Sequence, residues 1–188
     1  MSNIAYAFVP LLVCMVADDW LVGDYMLLAY AAALSISSTW FHCQLATYAD
    51  GADQRPDGGI AQHSDNAFTS LLTTTLCVRV IAGDDARHAA VWAPLLLLAL
   101  EALLVWYPKV SRPACKRKFD AFMLLVIVAV MLGVGLRDGR DAVLLCTGCA
   151  VMSVACMYWL KGPKWGEGHA WWHVLSAVAT ALVWLSCH

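Results

Sequence analysis

The sequence predicts an all-α fold, a bundle of seven transmembrane helices, and three observations carry that expectation. Of 188 residues, 61% are hydrophobic and 14% charged. A mean hydropathy of +0.66 is more apolar than a water-facing domain of this size can present at its surface. The apolar residues gather into seven segments separated by polar punctuation. Tryptophan and tyrosine mark the segment ends, at Trp20, Tyr25, Trp106, Tyr107, Trp159, Trp165 and Trp184, where an amphipathic ring sits well at the headgroup level.

Taken in order, residues 4–16 form the first segment. The preceding Met1-Ser2-Asn3 lacks the positive region of a secretory signal, and Ala17-Asp18-Asp19-Trp20 is a poor cleavage site, so this segment is expected to be a retained helix. The second, 25–42, ends on Ser38-Thr39-Trp40-Phe41-His42. The longest connector, 43–64, follows; its Asp50-Gly51-Ala52-Asp53-Gln54-Arg55-Pro56-Asp57-Gly58-Gly59 stretch is loop-forming and too polar to span anything. Asp65 opens the third segment, 65–81, and the fourth, 89–106, holds Glu101, for which the sequence offers no partner. The fifth, sixth and seventh are 121–136, 141–160 and 169–185. The first and fifth fall short of the ~20 residues a span needs and are expected to draw flanking polar residues into the interface. No internal repeat divides the chain, so residues 1–188 read as one integral, multi-pass membrane domain.

Charge excludes one class of partner. A net charge of -2 gives no basic footprint for nucleic acid. Among the lysines and arginines, Arg79, Arg87, Arg137 and Arg140 fall in loops on one side, and the others, dominated by the cluster at 109–118, fall on the other. The positive-inside rule then favours a cytoplasmic N-terminus. The eight cysteines lie mostly within or at the ends of apolar runs, where cysteine behaves as a small hydrophobe, and no disulfide framework can be read from them. Cys146-Thr147-Gly148-Cys149 has Cys-x-x-Cys spacing, but it sits in an apolar helix of small residues with no second pair.

The chemistry begins with Gly168-His169-Ala170-Trp171-Trp172-His173. Histidines four apart project from one helix face and make half a zinc site, because Zn²⁺ takes neutral imidazole nitrogen and needs one or two further ligands. Alternating helix directions bring the end of segment two and the starts of segments three and seven to one membrane face. His42, Asp65 and His169 stand at those places, and Ser38 lies one turn below His42. Isolated histidines at helix ends, His63, His88 and His188, are expected to be interfacial. Taken singly, Ser38 reads as a small packing residue and Asp65 as an N-cap of the third helix.

Three histidines around an open fourth position describe a catalytic zinc, at which water becomes nucleophilic near a pKa of about 7. His42, His169 and His173 are then the metal ligands, Asp65 the base that accepts the proton, and Ser38 a hydrogen-bond partner of the water or of the developing oxyanion.

Ser38-x-x-x-His42, then Asp65, then His169-x-x-x-His173 with Trp172 before the last histidine, resembles the signature of the seven-helix superfamily that contains the alkaline ceramidases, the adiponectin and progestin receptors and the myomaker-type proteins. The resemblance covers segments two to seven in order. It implies a zinc held by His42, His169 and His173, with Ser38 and Asp65 beside it, and a lipid amide or ester as substrate. Trp40-Phe41-His42-Cys43 and Gln62-His63-Ser64-Asp65 are more similar to the myomaker-type branch than to the ceramidases. Asp18-Asp19-Trp20 with Asp24 is similar to the calcium loop of ceramidases, but it falls between segments one and two rather than before the first, so no calcium site is carried over. A cytoplasmic N-terminus suits the adiponectin-receptor branch; ceramidases and myomaker run the other way.

Two main functions follow: a zinc-dependent intramembrane hydrolase of a membrane lipid, or a non-enzymatic membrane-remodelling or cell-fusion protein with a structural zinc. A third class, the cofactor-bearing bundle, is weaker. Retinal needs a lysine in the last helix and 170–185 has none, whereas bis-histidine haem between His42 and His169 stays open.

Overall fold

The computed structural model describes residues 5–16, 22–48, 59–82, 113–161 and 167–188. Among them the regular elements are all helices: α1 (Ala5–Val16), α2 (Val22–Tyr48), α3 (Gly59–Ala82), α4 (Pro113–Arg137), α5 (Ala142–Lys161) and α6 (Glu167–Leu185). Segments one to three and five to seven are therefore helical. Segment four, with Glu101, lies outside the described residues, as do His88, Trp20, Trp106, Tyr107 and Trp165.

Helices outrun the apolar segments that announce them. Hydropathy marks the stretch a helix can bury in an apolar medium, whereas its backbone bonds are internal and continue into polar sequence. Much of the expected connector is thus helical, since α2 runs to Tyr48 and α3 starts at Gly59. Asp65 consequently lies in the second turn of α3 and is not its N-cap. Pro113 opens α4, where its missing N–H is no loss, and brings Lys116, Arg117 and Lys118 into the helix.

α6 is the centre of the bundle. It packs against α5, α1 and α3, while α2 lies against α3 and α1, and α4 against α5 and α3. Ala177, Ala179, Ala181, Val183 and Trp184 of α6 join Leu27, Leu34, Leu76, Val80 and Leu145 in one apolar core. Small residues let the axes approach: a Cβ on Gly148 of α5 would stand 3.0 Å from the Val183 backbone nitrogen of α6. Between α4 and α5 the chain turns on Gly139, whose φ of 77° is the left-handed conformation of a Schellman cap. Gly139 N–H donates to Leu136 O and Arg140 N–H to Gly135 O. Asp141 then caps α5, its Oδ1 accepting from the backbone N–H groups of Val143 and Leu144, both at 2.9 Å.

The outside is apolar. Phe8, Leu11, Met15, Ile36, Val143 and Val178 are all exposed. Two helices contain stretches long and apolar enough to cross a membrane, Val22–Cys43 and Ala142–Leu160, and shorter apolar stretches are Ala67–Ile81, Leu125–Arg137 and His169–Leu185.

One end of the bundle is closed by a polar network that corrects three sequence expectations. Asp24 of α2, fully buried, accepts from Trp184 Nε1 of α6 at 2.7 Å and from Arg79 Nε of α3 at 3.3 Å, with His188 Nε2 3.5 Å away. Trp184 is therefore a core residue rather than an interfacial ring, with 0% of its surface exposed. Arg79 is a buried ion-pair partner rather than a loop charge, and His188 turns inward to Asp24. A full-length carboxylate partner makes such burial tolerable, which hydropathy alone does not register.

Candidate metal centre

The opposite end of α2, α3 and α6 holds the expected site residues. Helical spacing places His169 and His173 one turn apart at the head of α6, and His42 reaches them from α2. The Nε2 atoms form a near-regular triangle: 3.0 Å between His169 and His173, 3.2 Å between His42 and His173, and 3.3 Å between His42 and His169. The rings splay around it, with interplanar angles of 50°, 85° and 90°. His173 is buried and the other two are half-buried.

That triangle matches a metal. Zinc–nitrogen bonds of about 2.0–2.1 Å at tetrahedral angles set ligand nitrogens about 3.3–3.4 Å apart. Each Nε2 offers a lone pair to a common ion when its ring is the neutral Nδ1–H tautomer. The three residues lie close enough to hold one metal ion. Convergence from one side also disfavours haem, whose axial histidines must stand on opposite faces of a flat ring.

Ser38 and Asp65 meet between α2 and α3, with Ser38 one turn from His42 along α2. The Ser38 hydroxyl lies against the Asp65 carboxylate, and Ser38 Oγ and Asp65 Oδ1 are both buried with no other hydrogen-bond partner among the described residues. Ser38 comes from the turn of α2 preceding His42, and Asp65 from the second turn of α3. Their oxygens are thus poised for a further polar group. Phe41 packs beside His42 at 5.5 Å between ring centroids, and Trp172, next to His173 in the chain, lies against Trp159 of α5 at 5.6 Å.

Sequence reasoning missed Tyr6 and Ser176. Tyr6 of α1 packs its ring against His173, and its hydroxyl hydrogen-bonds to Ser176. A serine three residues after His173 in an apolar helix was the available signal. In the Cys-x-x-Cys pair, Cys146 is exposed, Cys149 is buried, and both are free thiols.

Compared with family models, curated proteins and solved structures, the chain matches none.

Proposed function

We propose that this is a multi-pass membrane protein of seven helices in which His42, His169 and His173 hold a zinc ion, and that it hydrolyses an amide or ester bond of a membrane lipid. The observation that carries the reading is the convergence of three Nε2 atoms within 3.3 Å beside two buried, incompletely bonded oxygens. Imidazole nitrogens suit zinc among the common metals, and a site with three protein ligands keeps a position for reactant. The exposed apolar exterior supports a bilayer as solvent, and a site at helix ends within it is open to acyl chains.

When bound, the zinc supplies the Lewis acidity that makes water a nucleophile near neutral pH. The protein's own groups do the rest. Asp65 accepts the proton of the attacking water and returns it to the leaving amine or alkoxide. Ser38 donates a hydrogen bond to the carbonyl oxygen as it gains negative charge, an interaction stronger in the transition state than before it. Phe41 and the neighbouring helices limit access of bulk water, which strengthens both effects.

Elemental analysis of detergent-purified protein tests the metal, and a screen of ceramide-like and ester lipids tests the reaction. The expected result is about one zinc per chain, lost in His173→Ala. Asp65→Asn keeps the zinc and lowers turnover by about 10²–10⁴-fold. Equal zinc loss in both variants contradicts the division between ligand and base. Unchanged biological function in Asp65→Ala and Ser38→Ala, with unfolding in His173→Ala, assigns the zinc a structural role of the myomaker kind instead.

A further inference from the structure

Metal-binding histidines are ordinarily oriented by a hydrogen bond from the ring nitrogen that does not face the metal. His173 lacks one: its Nδ1 is buried and has no hydrogen-bond partner among the described residues. Something else must hold the ring, since its Nε2 is the corner shared by the two shortest edges of the triangle, 3.0 and 3.2 Å.

Tyr6 meets that need. It lies on α1, which supplies none of the three ligands, and is buried. Its ring stands 6.0 Å from the His173 imidazole at an interplanar angle of 85°, within the range of an edge-to-face pair. Its hydroxyl bonds to Ser176 Oγ, and Ser176 sends its own proton to the Trp172 carbonyl oxygen at 2.6 Å, so Tyr6 is the donor of the pair. Ser176 follows His173 by three residues on the same face of α6. Tyr6 therefore grips α6 at two points, the ligand ring and the helix next to it.

From this arrangement, and resting on the metal centre proposed above, we infer that Tyr6 is a positioning residue for the metal ligand His173. The ring braces the imidazole laterally, and the hydroxyl sets the distance of α1 from α6. α1 thus belongs to the metal site without touching the metal.

Cobalt(II), whose visible spectrum reports ligand geometry, is the probe, titrated into the full-length protein in detergent against a chromophoric chelator. Tyr6→Ala is expected to weaken cobalt binding by about tenfold or more and to change the spectrum. Tyr6→Phe, which keeps the ring, restores most of both. Val9→Ala, which truncates another buried α1 residue, leaves both at wild-type values. Should Tyr6→Ala fail to fold, Tyr6→Leu refills part of the space with an apolar side chain that lacks the aromatic ring and is expected to show the same loss. Wild-type affinity and spectrum in the variant lacking the ring, or an equal loss in Val9→Ala, overturns the role of Tyr6 alone. A well-folded wild type that takes up no cobalt overturns the metal centre with it.

Discussion

The two ends of the α2, α3 and α6 trio bury polar groups in opposite ways. Asp24 and His42 are separated by about 27 Å along α2 at 1.5 Å per residue. At the Asp24 end the acidic group is answered: the carboxylate accepts from an indole N–H and a guanidinium, with the His188 imidazole 3.5 Å away, and Arg140 Nε is the buried donor there that has no partner among the described residues. At the histidine end three imidazole nitrogens converge on one point, while Ser38 Oγ, Asp65 Oδ1 and His173 Nδ1 complete no hydrogen bond among the described residues. Each such orphan costs about 1–3 kcal/mol if nothing completes it. A closed network holds helices together and offers a ligand little; an open one is tolerable when a ligand finishes it. The difference separates scaffold from site more sharply than burial does, because Asp24 is the more deeply buried carboxylate of the two.

Breaking the closed end has the largest expected effect. Asp24→Ala leaves the Arg79 guanidinium buried without its carboxylate and is expected to lower stability by about 3–5 kcal/mol, measured by denaturant unfolding in detergent micelles. A loss below about 1 kcal/mol, the level of an exposed pair, would show that the network is not the clamp described. Next comes the open end. Chelation of zinc is expected to destabilise the wild type by about 2.7 kcal/mol when free zinc had stood at 100 times Kd. The same decrement is expected in Asp24→Ala, since distant sites add to within about 0.3–0.5 kcal/mol. A decrement that vanished in Asp24→Ala would mean that the two ends are coupled through the helices. The smallest effect belongs to Arg137→Ala. The Arg137 Nε to Asp138 Oδ1 pair is short, 2.9 Å, but the arginine side chain is 75% exposed, and its removal is expected to leave the midpoint of the same denaturant unfolding unchanged.

Much of the site was legible because its parts are local. His169 and His173 announce themselves through helical spacing, and Ser38 and His42 do the same on α2. Joining the two pairs required only alternating helix directions and the motif order. Asp65 was singled out by the motif order, although its place inside α3 rather than at its cap was not legible, since hydropathy stops where the helix does not. The closed end was scarcely legible. Arg79 looks like a loop charge, Trp184 an interfacial ring and His188 a surface residue until the turn of each helix about its own axis is known. Tyr6 and Ser176 carried still less signal, a single hydroxyl each in apolar surroundings.

The sequence by itself determined the all-helical class, the apolar segments and the two histidines presented by α6, because periodicity and composition act over a few turns of one helix. Tertiary structure decided that His42 closes the triangle at 3.2 and 3.3 Å, that Asp24 meets Arg79 and Trp184, and that Tyr6 reaches His173, 167 positions later in the chain. These are contacts between helices. They depend on rotation and close approach, which side-chain packing sets across the whole bundle and which no local spacing encodes.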